Sequence, residues 1–178
     1  MCQMIVNPAG PIVLSLKALE RLLLVNPHGV GLAYCTSEKI AVIRHQAVSA
    51  ETLLTLLSQI PPSSPTLLHL RQSTCGTVSE LNVHPFFVTT THDCVLAHNG
   101  TIAGWATPSR SDSFSISEEL RKTSKHSAID ALALEVKEIW QPGNRFALLN
   151  NRGEVALIGA DEGAWRNGVW WSNVKQLF

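Results

Sequence analysis

Met1-Cys2-Gln3-Met4-Ile5-Val6 opens the chain, and the reading of its second residue governs the reading of all that follows. Cysteine is small enough that cellular aminopeptidases remove the methionine before it. Cys2 then becomes a terminal residue with both a thiol and a free α-amine. A thiol attacks as thiolate, and an unperturbed pKa of about 8.5 leaves little thiolate at neutral pH. An α-amine titrates near about 7.7–8.0, so its neutral form takes the thiol proton directly or through one water. Nucleophile and base then reside in one residue. The competing reading is structural: many chains begin Met-Cys, and a buried cysteine behaves as a small hydrophobe.

Outward from Cys2, Gln3 to Val6 reads as a short strand stopped by Asn7-Pro8. Leu16, Leu19, Leu22 and Leu23 fall at helical spacing, and Asn26-Pro27 ends that helix. His28-Gly29-Val30-Gly31 reads as a turn, and Leu32-Cys35 with Ile40-Arg44 as a hairpin. Ser49 is an N-cap for a second helix with Leu53, Leu56, Leu57 and Ile60 on one face, ended by the prolines at 61, 62 and 65. Strands are expected at Leu67-Leu70, Phe86-Thr90 and Val95-His98. Thr107 to Ser117 reads as a surface loop, with a capping box at Ser115-Glu118 starting a third helix. A fourth runs from about Ser127 through Ile129, Leu132, Val136 and Trp140 to Pro142-Gly143. Asn150-Asn151-Arg152-Gly153 joins the last clear hairpin, and Val169-Ser172 reads as a final strand. Strands in hairpins and helices in pairs predict stacked layers rather than βαβ units.

A chain of 178 residues suits one domain over 1–178 with a substantial core. Lys plus Arg equals Asp plus Glu at 14 each, so no net field draws in nucleic acid or an anionic membrane. The start lacks the basic and apolar regions of a signal peptide, and the apolar runs are too short to span a bilayer. Four cysteines, Cys2, Cys35, Cys75 and Cys94, form no CxxC pair, which points to a reducing, cytoplasmic setting. His84, His92, Cys94 and His98 offer metal-ligating atoms, yet their spacing fits no metal signature, so no metal or cofactor is expected.

Three segments carry chemistry. Arg71-Gln72-Ser73-Thr74-Cys75-Gly76 follows an apolar strand, and an arginine there suits bidentate capture of a carboxylate. His98-Asn99-Gly100 ends another strand; Asn supplies an amide N–H and Gly an unobstructed backbone N–H, a pair able to hold an oxyanion. Ser111-Asp112-Ser113 supplies a carboxylate for a ligand ammonium. Each has an ordinary structural reading as well: an edge arginine, an Asn-Gly turn, a helix cap.

Together with Cys2, in this order, the three segments resemble the class II glutamine amidotransferases, N-terminal nucleophile hydrolases that release ammonia from glutamine. Asn-x-His-Pro at 82–85, the glycine turn at 28–31 and Trp170-Trp171-Ser172-Asn173 add to the resemblance. It implies an α+β fold, a four-layer αββα sandwich. It also implies roles: Cys2 attacks the side-chain amide, its α-amine serves as base, and Asn99 with the Gly100 N–H forms the oxyanion hole. Arg71, helped by Thr74, holds the α-carboxylate, and Asp112 the α-ammonium. Cys75 stands where some members of the family carry histidine. Members are usually fused to a synthase, and 178 residues leave no room for one. The resemblance therefore implies a stand-alone glutaminase feeding ammonia to a separate synthetase or amidoligase. The alternatives are a hydrolase of γ-glutamyl compounds and an idle copy of the fold serving as a regulatory subunit.

Overall fold

In the computed structural model of the chain, which describes residues 2–37, 39–124 and 128–173, ten strands form two antiparallel sheets. The first contains β1 (Gln3–Asn7), β2 (Val30–Cys35), β3 (Ile40–His45), β4 (Thr66–Leu70), β9 (Ala164–Arg166) and β10 (Val169–Trp171), in the order β3-β2-β4-β1-β10-β9. The second contains β5 (Phe86–Phe87), β6 (Cys94–Asn99), β7 (Arg145–Asn150) and β8 (Val155–Ile158), in chain order. Helices α1 (Leu16–Val25) and α2 (Ala50–Ser58) cover one sheet; α3 (Asp112–Thr123) and α4 (Ile129–Ile139) cover the other.

The layering follows from two-residue alternation along strands buried on both faces. In β1, Ile5 packs toward α1 and α2, whereas Met4 and Val6 face the second sheet. In β4, Leu68 and Leu70 point to the helices and Leu67 to the sheet interface. In β6 and β7, Leu96, Phe146 and Leu148 meet α3 and α4, and Val95, Ala97, Ala147 and Leu149 meet the first sheet. Three apolar layers thus separate four layers of secondary structure, an αββα sandwich.

Several local expectations shift. Val30 and Gly31 are strand rather than turn, and Gly31 pairs with Arg44 and His69. The strand begun at Phe86 stops at Phe87, because the chain folds back on Thr89, whose hydroxyl donates to Asp93 (2.6 Å) and accepts from its N–H (3.1 Å). Helix α3 starts three residues before Ser115: the Ser111 Oγ accepts from the Phe114 N–H (3.1 Å), and Ser115 and Ser117 lie inside the helix. The expected start of the fourth helix at Ser127 lies outside the described residues; α4 runs Ile129–Ile139, and Trp140 is its cap. Strand β9 was not expected. It pairs with β10 through Asn167 (φ 50°) and Gly168 (φ 77°), a dipeptide that is itself a hairpin signal. No described helix is long and apolar enough to cross a membrane.

Candidate active site

Cys2 precedes β1, a central strand held between β4 and β10, so the first sheet fixes where its side chain sits. The thiol meets the Gln72 main chain twice: the Gln72 N–H donates to Sγ (3.3 Å) and the S–H donates to Gln72 O (3.3 Å). Burial pushes the thiol pKa up, while the Gln72 hydrogen bond and the Arg71 charge pull against it. A buried neutral thiol needs a base before it can attack.

Asn99 ends β6 in the opposite sheet, fully buried, and reaches across to the first. Its Nδ2 donates to Cys2 O (2.7 Å) and to Ser172 Oγ (2.8 Å), while Oδ1 has no hydrogen-bond partner among the described residues. Ser172 Oγ also accepts from the Met4 N–H (2.8 Å). The side chain expected at the oxyanion thus also ties the two sheets together beside Cys2. Gly100 follows at φ +150°, in a conformation that only glycine adopts readily.

Arg71, 3 % exposed, turns inward under its own loop. Nη1 donates to Thr77 O (3.2 Å), and Nη2 to Ser73 Oγ (3.1 Å) and Cys75 O (3.1 Å), so the guanidinium organises residues 72–77. Burial lowers its pKa, and Cys2, Cys75 and Asp112 oppose that. Ser73 N–H donates to His28 Nδ1 (3.0 Å), anchoring the loop to the glycine turn. At the loop tip Thr74 Oγ1 lies 3.3 Å from Thr101 Oγ1, bridging to the segment after Gly100.

Asp112 opens α3 and is 2 % exposed. Its Oδ2 accepts from the Ile102 N–H (2.7 Å), and Oδ1 from the Ser113 N–H (2.8 Å) and the Cys75 thiol (3.5 Å), with the Ser113 hydroxyl oxygen 3.2 Å from Oδ1. The helix N-terminus favours a carboxylate at this point. His98 Nδ1 is 3.9 Å away. The Ser111-Asp112-Ser113 segment is therefore both helix cap and charged wall.

Cys2, Arg71, Thr74, Gly100 and Asp112 line one cavity of ≈ 20 Å³, room for about one water. Asn99 is absent from this wall but lines, with Cys2, Gly100, Thr101, Gly143 and Asn144, an adjoining open groove of ≈ 270 Å³. Cys2 is a wall of both spaces. The other five residues assigned roles in the sequence thus gather around Cys2. The sequence reading did not include Gln72, Ser172 or Asn144. Ser172 lay in a noted motif, whereas Asn144 showed only a Pro-Gly-Asn turn signal. A larger cleft of ≈ 420 Å³, lined by Arg44, Phe86 and Phe114, is separate from the thiol.

A family model described as glutamine amidotransferases class-II matches residues 1–117. Comparison with curated proteins finds no match. Among solved structures, the glutamine phosphoribosylpyrophosphate amidotransferase from B. subtilis, complexed with ADP and GMP, is similar at a TM-score of 0.59 and 16 % identity, over 96 % of this chain and 41 % of that one. A structure described as the allosteric regulatory enzyme of purine biosynthesis gives 0.58 and 17 %, with the same coverages of 96 % and 41 %. This chain therefore spans about 41 % of the length of either, and at such identities the likeness shows the fold alone.

Proposed function

The chain belongs to the class II glutamine amidotransferases, and from that premise we propose that it hydrolyses the side-chain amide of glutamine through a Cys2 thioester, delivering ammonia to a separate synthetase or amidoligase. The carrying observation is the convergence of Cys2, Arg71, Gly100 and Asp112 on one cavity. An amino-acid substrate presents one anion, one cation and one carbonyl, and this wall offers a counterpart to each.

Removal of Met1 frees the Cys2 α-amine. The amine takes the thiol proton as Sγ attacks the amide carbon. Charge gathers on the carbonyl oxygen, where the Gly100 N–H and Asn99 Nδ2 receive it; Asn99 turns from one of its two present acceptors to do so. The C–N bond breaks, the α-amine returns its proton to the leaving nitrogen, and ammonia departs. Water then adds to the thioester, giving glutamate and restoring the thiol. Arg71, with Thr74, grips the α-carboxylate and Asp112 the α-ammonium throughout. A cavity of ≈ 20 Å³ is too small for glutamine, so the 72–77 loop lifts for loading and its Arg71 bonds rearrange.

The test is glutamate release from glutamine by protein lacking Met1. Release is expected, and Cys2→Ala should abolish it; turnover surviving in that variant would remove Cys2 as nucleophile. The ≈ 270 Å³ groove flanking Cys2 exceeds what departing ammonia requires, and supports a second reading as a hydrolase of γ-glutamyl compounds. Comparing glutamine with γ-glutamyl amides of larger amines separates the two. Copurification with an ammonia-consuming synthetase would favour the first.

A further inference from the structure

We propose that Asn144, in the turn between α4 and β7, is a positioning residue for the oxyanion site, holding Gly100 in place and setting the tautomer of His98. Its kinetic consequence rests on the glutaminase reading; its structural consequence does not. Asn144 lies beyond the 1–117 segment that the family model matches, so this role would belong to the C-terminal third of the chain.

Asn144 is 3 % exposed and bonded on every side. Nδ2 donates to Gln141 O (3.1 Å), the backbone N–H donates to the same oxygen (3.1 Å), and the Asn144 carbonyl accepts from Trp140 Nε1 (2.7 Å). Because Nδ2 faces carbonyls, which only accept, the amide orientation is forced and Oδ1 must face His98 Nε2, 2.9 Å away. His98 Nε2 therefore carries the proton. Nδ1 is left to accept from the Ser113 hydroxyl at 2.8 Å. Phe146 stacks on the ring at 4.2 Å, covering one of its faces.

The same Oδ1 lies against the bare α-carbon of Gly100. A methyl group there would sit 2.1 Å from Asn144 Oδ1 and 2.8 Å from its Cγ, so the contact exists only because residue 100 is glycine. One rigid amide thus braces two neighbours: the imidazole of His98, and the peptide whose N–H is assigned to the oxyanion. Small displacements of such a donor are costly, since roughly 1 Å of misplacement can lose 10²-fold in rate.

The groups facing His98 are the Asp112 carboxylate at 3.9 Å, the Ser113 hydroxyl and Asn144; His69 Nε2 lies against its carbonyl. Asn144→Ala deletes the acceptor and the brace. Asn144→Asp keeps the shape, but sets a carboxylate against the Gln141 carbonyl and beside the imidazole.

The experiment uses the full chain without Met1, in wild-type, Asn144→Ala and Asn144→Asp forms, with two readouts. Steady-state glutamate release should show kcat falling on the order of 10²-fold in Asn144→Ala, with KM changed far less. Nitrogen NMR of the His98 ring should show protonated Nε2 in the wild type, loss of that preference in Asn144→Ala, and protonation of both nitrogens at higher pH in Asn144→Asp than in the wild type. If Asn144→Ala fails to fold, the isosteric Asn144→Asp carries both readouts. A folded variant with wild-type kcat, or with the wild-type His98 tautomer and titration, overturns the proposal. If the wild type releases no glutamate, the glutaminase reading fails on its own and the ring tautomer alone decides this one.

Discussion

Three side chains separate binding from chemistry at the scale of single residues. Asn99→Ala removes the amide proposed for the oxyanion, and kcat should drop by roughly 10²–10³. An unchanged kcat in a folded variant would leave Asn99 only its bridge from Cys2 O to Ser172. Asp112→Asn alters the contact proposed for the substrate ammonium, so KM should rise by more than kcat falls. It also turns an NH₂ toward either the Ile102 N–H or the Ser113 N–H, and should lower unfolding free energy by about 1–3 kcal/mol. Urea denaturation beside the kinetics tells the two effects apart. The thiol is buried with its pKa pushed up, and the proposed mechanism supplies the α-amine as its base. Protein blocked at that amine should therefore bind glutamine without turning it over, which isothermal titration combined with a glutamate assay would check.

Elements place these groups through contacts with little tolerance. Gly31 of β2 passes beneath the His84 carbonyl, and a Cβ there would lie 1.4 Å from that oxygen. The obstacle is backbone, so no side-chain rotation relieves it. Gly31→Ala should cost several kcal/mol and lower the thermal midpoint steeply; a wild-type midpoint would contradict this packing of β2 on the 82–85 segment. Helix α3 shows why a capping signal can mislead. Ser115 to Glu118 has the right spacing, yet the helix starts at Ser111 because Asn82 Oδ1 accepts its N–H (2.7 Å) and Ser111 Oγ caps Phe114. Asp112 thereby occupies the first helical position, where the dipole favours its charge.

At the scale of the molecule, three histidines among the described residues, His69, His84 and His98, lie buried between or beside the sheets. Burial lowers the pKa of His69 to about 3, holds His84 well below the ordinary range and lowers His98 against the pull of Asp112. All three are neutral when folded, whereas the unfolded chain binds protons below about pH 6.5. Their contribution to stability is complete above that pH and is lost as pH falls below it; for His69 the loss runs down toward pH 3, at about 1.4 kcal/mol per pH unit. His69 alone should remove about 2 kcal/mol between pH 6.5 and 5. Denaturation midpoints at pH 7 and 5 should differ accordingly, with a smaller difference in a His69→Gln variant. Equal midpoints for the wild type would sink this account.

The order of elements, the amphipathic stripes of α1, α2 and α4 and the hairpin at 150–153 were legible in the chain itself, and Arg71, Thr74, Asn99, Gly100 and Asp112, named from their motifs, are found beside Cys2. Periodicity, caps and turn residues act over a few positions and leave a local trace. The short β9, the early start of α3, the doubled engagement of Asn99 and the bracing of Gly100 by Asn144 left none that was read. The last three depend on a partner distant in sequence: Cys2 and Ser172 for Asn99, Asn82 for Ser111, His98 and Gly100 for Asn144. Such pairings are chosen when two sheets pack face to face and each buried polar atom must find an acceptor or donor among the groups brought within reach. Residue types set which chemistry was available; the packing of the sheets decided which atoms meet.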